Sequence, residues 1–153
     1  MTATATTLAL EPGYWGLLGR GVWAIALYAI VGLVLMILGF FAIDLTTPGK
    51  LRQMVREGRP NAIVVTAAGM VSMAIIVVLA IFSSAGRLSE GLISSLVFGL
   101  VGIVAQVVSV RVIERVAGID IGAVLRGEKF VPDALIVAAA HFALGLVVAF
   151  AIL

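Results

Sequence analysis

Ten lysines and arginines and eight acidic residues are all excluded from four stretches of the chain, 21–43, 60–86, 91–110 and 134–153. Each stretch reaches the ~20 residues that a helix rising about 1.5 Å per residue needs to cross a hydrocarbon layer of about 30 Å. With 63% hydrophobic and 12% charged residues, against roughly 45–50% apolar in an ordinary soluble domain, a water-soluble monomer is excluded. Lipid tolerates only helices or closed barrels, because every backbone polar group must be satisfied internally. Continuous apolar runs without period-two alternation select helices. The expectation is therefore an all-α integral membrane protein with four spans, at about 22–43, 61–83, 92–113 and 134–153.

The totals remove several function classes. There is no cysteine, so disulfides, thiolate metal sites and cysteine nucleophiles drop out together. A net charge of +2 spread over several loops lacks the dense basic face that nucleic acid requires, and nucleic acid is discarded as a partner. Residues 1–19 contain no Lys or Arg and the first apolar run is long, unlike a cleaved signal peptide, so that run reads as a retained first span. Arg20 and Arg87 lie on one side of the spans. Lys50, Arg52, Arg56, Arg59, Arg111, Arg115, Arg126 and Lys129 lie on the other. The positive-inside rule then puts both long loops in the cytoplasm and both termini outside. Tyr14, Trp15, Trp23 and Tyr28 cluster near the outer end of the first span, where amphipathic rings favour the headgroup layer.

An offset of 72 residues aligns Pro60-Asn61-Ala62-Ile63-Val64-Val65-Thr66-Ala67-Ala68-Gly69 with Pro132-Asp133-Ala134-Leu135-Ile136-Val137-Ala138-Ala139-Ala140-His141, five positions being identical. Both segments follow a long loop and open a span, which reads as a tandem two-helix repeat. Two spans return the chain to its starting side, so the halves are expected to be parallel, related by an axis along the membrane normal. The expected divisions are an extracytoplasmic tail at 1–21, repeat 1 at 22–83, an extracytoplasmic linker at 84–91 and repeat 2 at 92–153. In the first loop Thr47 can cap a short helix, Pro48 suits its first position, Leu51, Met54 and Val55 share a face, and Gly58 can stop it. In the second, Asp120 is the cap, Ile121, Val124 and Leu125 form the stripe and Gly127 is the terminator. These short amphipathic helices either lie in the inner headgroup layer or fold with their apolar sides against the span ends.

The loop Asp44-Leu45-Thr46-Thr47-Pro48-Gly49 and the entry Glu57-Gly58-Arg59-Pro60-Asn61-Ala62 into a small-residue span resemble the small bacterial membrane-protein family known as domain of unknown function 350. That family is built from copies of a two-span unit, and the resemblance covers roughly residues 23–153 as two copies. The second copy departs from the pattern, with Asp133 for Asn, no Thr-Pro, and His141 where the first has Gly69. The resemblance implies an inner-membrane location and a part in envelope homeostasis; it supplies no reaction and no catalytic residues.

Polar groups inside the spans are few. His141, the single histidine, lies eight residues into the fourth span, about 10 Å from its cytoplasmic end. Gln106 lies at a similar depth in the third, so the two can form an intramembrane pair. The pair is either an interhelical clamp, worth about 1 kcal/mol, or part of a polar path that also includes Ser72 and Thr66. Asn61 and Asp133, each following a proline at the start of a span, are expected as helix N-caps. Lys50, Arg52, Arg56, Arg59, Arg126 and Lys129 are expected to meet lipid or a partner at the inner face. Ala62, Ala68, Gly69, Ser72, Gly99, Gly102, Ala138 and Gly145 are expected at helix contacts, with Gly32 and Gly39 sharing a face of the first span. A lone imidazole is a poor metal site, and His141 lies far from the serines at the outer side, so no catalytic, metal or cofactor residue is assigned. The reading is a non-enzymatic accessory or scaffold subunit of a membrane assembly, as a homo-oligomer or within a larger complex in the bilayer. The rival is an oligomeric channel or transporter component with a path near Gln106 and His141.

Overall fold

The structure, a computed structural model, describes residues 13–47 and 49–153. These form six helices in the order α1 (Tyr14–Thr46), α2 (Leu51–Arg56), α3 (Pro60–Ser83), α4 (Leu88–Ala117), α5 (Ile121–Arg126) and α6 (Asp133–Phe150), with no strand among the described residues. Helices α1, α3, α4 and α6 are long and apolar enough to cross a membrane. A long helix, a six-residue helix and another long helix thus occur twice in succession.

The four spans lie where charge exclusion puts them, but their ends do not. Helix α1 begins at Tyr14 rather than near 22, so the expected tail at 1–21 loses its last residues to the helix. Arg20 is the only charge in that stretch and nothing there breaks a helix. Likewise α4 begins at Leu88, inside the expected linker, and continues to Ala117, where Gly118 at φ +65° ends it. The connection between α3 and α4 shrinks to a turn through Ala85 and Gly86, both at positive φ.

Caps explain the remaining differences. Thr47 does not cap α2: its hydroxyl donates to the Ile43 carbonyl at 2.7 Å, and that of Thr46 donates to the Ala42 carbonyl at 2.8 Å. Both hydroxyls therefore back-bond to the last turn of α1, whose Ile43 carbonyl also accepts from the Thr47 N–H. Helix α2 starts at Leu51 behind Lys50, and Pro48 lies outside the described residues. Gly58 does stop α2. At φ +74° it allows the paired closing bonds from Gly58 N–H to Val55 O and from Arg59 N–H to Met54 O, the αL closure that favours glycine. In the second loop Asp120 caps as expected, accepting from the Ala123 N–H at 2.8 Å.

Helix α3 is central, packing most extensively on α6 and also on α4 and α1. Two apolar clusters fill the bundle. At the end carrying the loops, Ile43, Val65, Val137 and Ala138 enclose Leu51 and Met54 of α2 and Ile121 and Leu125 of α5. The apolar sides of both loop helices therefore face protein, the second of the two arrangements the sequence allows. Towards the opposite end, Leu35, Met73, Ile76, Val77, Ile103 and Ala149 form the other cluster. Small residues carry the close approaches: Leu35 packs on Gly99, Ile76 on Gly102, and Ser72 so near Gly145 that a β-carbon there would overlap its hydroxyl. Gly39 faces Met73 and Gly32 faces Val77. Trp15 and Trp23 remain well exposed. Tyr28 instead turns onto Gly91, its hydroxyl 3.4 Å from the Leu88 carbonyl.

Candidate functional site

Three buried polar residues, Ser72, Gln106 and His141, meet where α3, α4 and α6 cross. Gln106 Nε2 donates to Ser72 Oγ at 2.6 Å, and Ser72 Oγ donates to the backbone carbonyl of His141 at 2.8 Å. All three residues are at most 1% exposed. Gln106 and His141 share a depth, as their positions along the helices require, but no direct side-chain hydrogen bond joins them. Ser72 stands between, and what it bonds on α6 is main chain. The link is possible because Gly145, one turn beyond His141, leaves room for α3 to approach.

The imidazole itself is unspent. His141 Nδ1 and Nε2 and Thr66 Oγ1 are buried without a hydrogen-bond partner. Gly69 lies among them. A β-carbon at that position would come 3.9 Å from Gln106 Oε1 and 4.0 Å from His141 Nδ1, so both atoms approach a bare stretch of α3. A void of about 10 Å³ beside Thr66 and Gly69 is otherwise lined by apolar side chains of α1 and α3, at the lower limit for one water molecule. With one imidazole and no carboxylate, the cluster can hold helices together or hold a water, and has no pair of groups for acid–base hydrolysis.

At the loop end, Asn61 has a larger role than its sequence position implies. The helix begins at Pro60 with Arg59 as its N-cap, so Asn61 is inside α3 and caps nothing. Fully buried, its Nδ2 donates to the Val124 and Lys129 carbonyls, both at 2.9 Å, and lies 3.5 Å from that of Gly127. Its Oδ1 accepts from the Val131 N–H at 3.0 Å. One side chain thereby fastens the loop between α5 and α6 to the start of α3. Asp133, its counterpart in the sequence match, is exposed; it is the first residue of α6, behind Pro132, and makes no capping bond. The physical reason is donor chemistry: a carboxylate only accepts, whereas an amide supplies two N–H groups to carbonyls. The Asn-to-Asp difference was the one signal in the sequence that the two sites differ.

The expected inner-face cations divide. Arg59 pairs with Glu57 through Nε and Oε2 at 2.9 Å and donates through Nη1 to the Arg126 carbonyl, so it joins the two loops. Arg126 lies against the turn at Gly49. Lys50, Arg52 and Arg56 are exposed around a cleft that also includes Asp44 and Glu57. Lys129 is exposed, its carbonyl taken by Asn61. The hydrogen bond from Arg59, with a second from Gln53, holds the Glu57 carboxyl below its ordinary range. Arg111, one of the cations expected on the side of the long loops, donates to the Thr46 carbonyl and pairs with Glu114 at 2.8 Å, tying α4 to the end of α1.

The chain is similar to a UPF0719 transmembrane protein of Mycolicibacterium paratuberculosis, with 42% identity over 86 residues, covering 56% of this chain and 57% of the relative. It is similar to UPF0719 transmembrane proteins of Mycobacterium bovis and Mycobacterium tuberculosis at 42% identity over 81 residues, covering 52% of this chain and 53% of each relative. The chain thus spans about half the length of the curated relatives it matches. No solved structure matches it significantly. A family model described as Domain of Unknown Function (DUF350) matches residues 17–152, nearly the whole of the chain. The chain belongs to the DUF350 family, a family of transmembrane proteins.

Proposed function

We propose that this multi-pass membrane protein is a non-enzymatic accessory or scaffold subunit of a membrane assembly, set in a bacterial inner membrane with both termini outside and built as two tandem two-helix units. The observation that carries the reading is the closed state of its intramembrane polar groups: Gln106, Ser72 and His141 are sealed between helices and not ranged along a channel. Large apolar side chains such as Ile25, Leu33, Val104 and Val147 cover the outer surface, available to lipid, to a second copy or to other subunits. The inner-face cations complement an anionic leaflet. A conducting role is the second reading, supported by the three unpartnered polar atoms of His141 and Thr66.

Flux in liposomes separates the two. The scaffold reading expects no proton, cation or small-solute flux above protein-free vesicles for the intact chain, and no change for His141→Ala or Gln106→Ala. Flux through the intact protein that disappears in both variants would overturn it. Purification in mild detergent is expected to bring down other membrane subunits or a homo-oligomer in stoichiometric amount.

A further inference from the structure

Two surface features meet at Arg52. The first is the cleft of about 1180 Å³ at the loop end, among whose lining residues are Asp44, Leu45, Lys50, Arg52, Arg56 and Glu57. The second is an apolar groove of about 300 Å³ on the membrane-facing surface, lined by Leu33, Met36, Ile37, Phe40 and Phe41 of α1 and by Met70 of α3, with Arg52 at its end. From Phe41 to Leu33 the groove follows α1 for about 12 Å into the hydrocarbon layer.

The charges of the cleft are not self-neutralised. Asp44 accepts from the backbone N–H of Arg52 at 3.0 Å, and Glu57 accepts from Gln53 at 2.7 Å and Arg59 at 2.9 Å. Glu57 is thus paired with Arg59, which does not line the cleft, while Asp44 keeps its charge on a main-chain N–H of the cleft itself, leaving one unpaired carboxylate against three cations. The side chains of Lys50, Arg52 and Arg56 have no ion-pair partner among the described residues. Leu45, 85% exposed, adds an apolar edge to the cleft. A ligand matching both features needs a negative head at the membrane surface and a hydrocarbon tail continuous with it.

We infer that the α1–α2 elbow is a binding site for one anionic phospholipid, its phosphate held by Lys50, Arg52 and Arg56 and an acyl chain lying in the groove between α1 and α3. Arg52, which lines both features, marks the join between head and tail. Guanidinium groups suit this task because their planar fork matches phosphate oxygens. The site stands on its own observations and holds whether the protein is a scaffold or a conductor.

The test uses the full chain reconstituted in phosphatidylcholine vesicles with a trace of acyl-chain spin-labelled phosphatidylglycerol or phosphatidylcholine, reading the protein-immobilised fraction by electron paramagnetic resonance. The intact chain is expected to prefer phosphatidylglycerol. Removing the cations in turn (Lys50→Ala, Arg52→Ala, Arg56→Ala) should lower the preference about fivefold at each step. Ile37→Trp, which fills the groove and removes no cation, should lower it too, while Arg115→Ala on the same face should leave it intact. Equal losses in Arg115→Ala and the cleft variants, or no effect of filling the groove, would reduce the attraction to diffuse surface charge and overturn the site. Displacement of the labelled lipid by excess inorganic phosphate at constant ionic strength would assign the cleft to a free anion and also overturn it. Unchanged far-UV circular dichroism checks that these exposed positions leave the fold intact.

Discussion

Replacing the amide of Asn61 by a carboxylate keeps the shape of the side chain and removes every donor it uses. Three carbonyls would then face an acceptor in a buried site. Asn61→Ala is expected to cost about 1–3 kcal/mol for the groups it leaves unpaired, and Asn61→Asp more, measured by chemical unfolding in mild detergent. Equal stability of wild type and Asn61→Asp would show that the loop closes without the amide. At the α3–α6 crossing, Gly145→Ala drives a methyl into Ser72 and should cost about 1–3 kcal/mol, whereas the volume-conserving Gln106→Met loses only an interhelical hydrogen bond, about 1 kcal/mol. The same unfolding assay should rank them in that order. The matched depth of Gln106 and His141 is legible in the sequence because helical rise is constant. That Ser72 stands between them is not, since it depends on the rotation and crossing of three helices.

At the scale of elements, the hydrophobic runs announce the spans and say little about where they stop. Helix ends are decided by which end N–H and carbonyl groups find a partner and where a glycine can adopt positive φ. Hence Gly58 and Asp120 are readable as punctuation, while Thr47 turns back to α1 against its apparent signal. The turn from α2 to α3 is also the part of the molecule that should respond to acid. With its carboxyl held below the ordinary value of 4.5 in the folded state by Arg59 and Gln53, Glu57 contributes stability that is present above the unfolded value and lost as pH falls through the folded one. Amide protection of α2, corrected for intrinsic exchange, should therefore decline below about pH 4, and Glu57→Gln should show no such decline. A pH-independent wild type would mean that the contact does not order the turn.

Across the whole molecule, the eight-against-two division of cations makes sidedness the most direct property to check. Because the chain has no cysteine, single substitutions report cleanly. Ser89→Cys, in the exposed first turn of α4, is expected to react with an impermeant thiol reagent on intact cells. Gln53→Cys on α2 is expected to react only after permeabilisation. The reverse pattern would invert the proposed topology and move the lipid site to the other leaflet. Helix α1 carries one further implication. Its 33 residues make a rod of about 50 Å, longer than the 40–45 Å occupied by hydrocarbon and headgroups together. Even leaning at about 40°, the extreme for such helices, it would use only some 39 Å of its length within a 30 Å oil film, leaving roughly 10 Å of stiff stalk. Any of that surplus at the aromatic start of α1, the end away from the basic loops, would be a handle held clear of the oil.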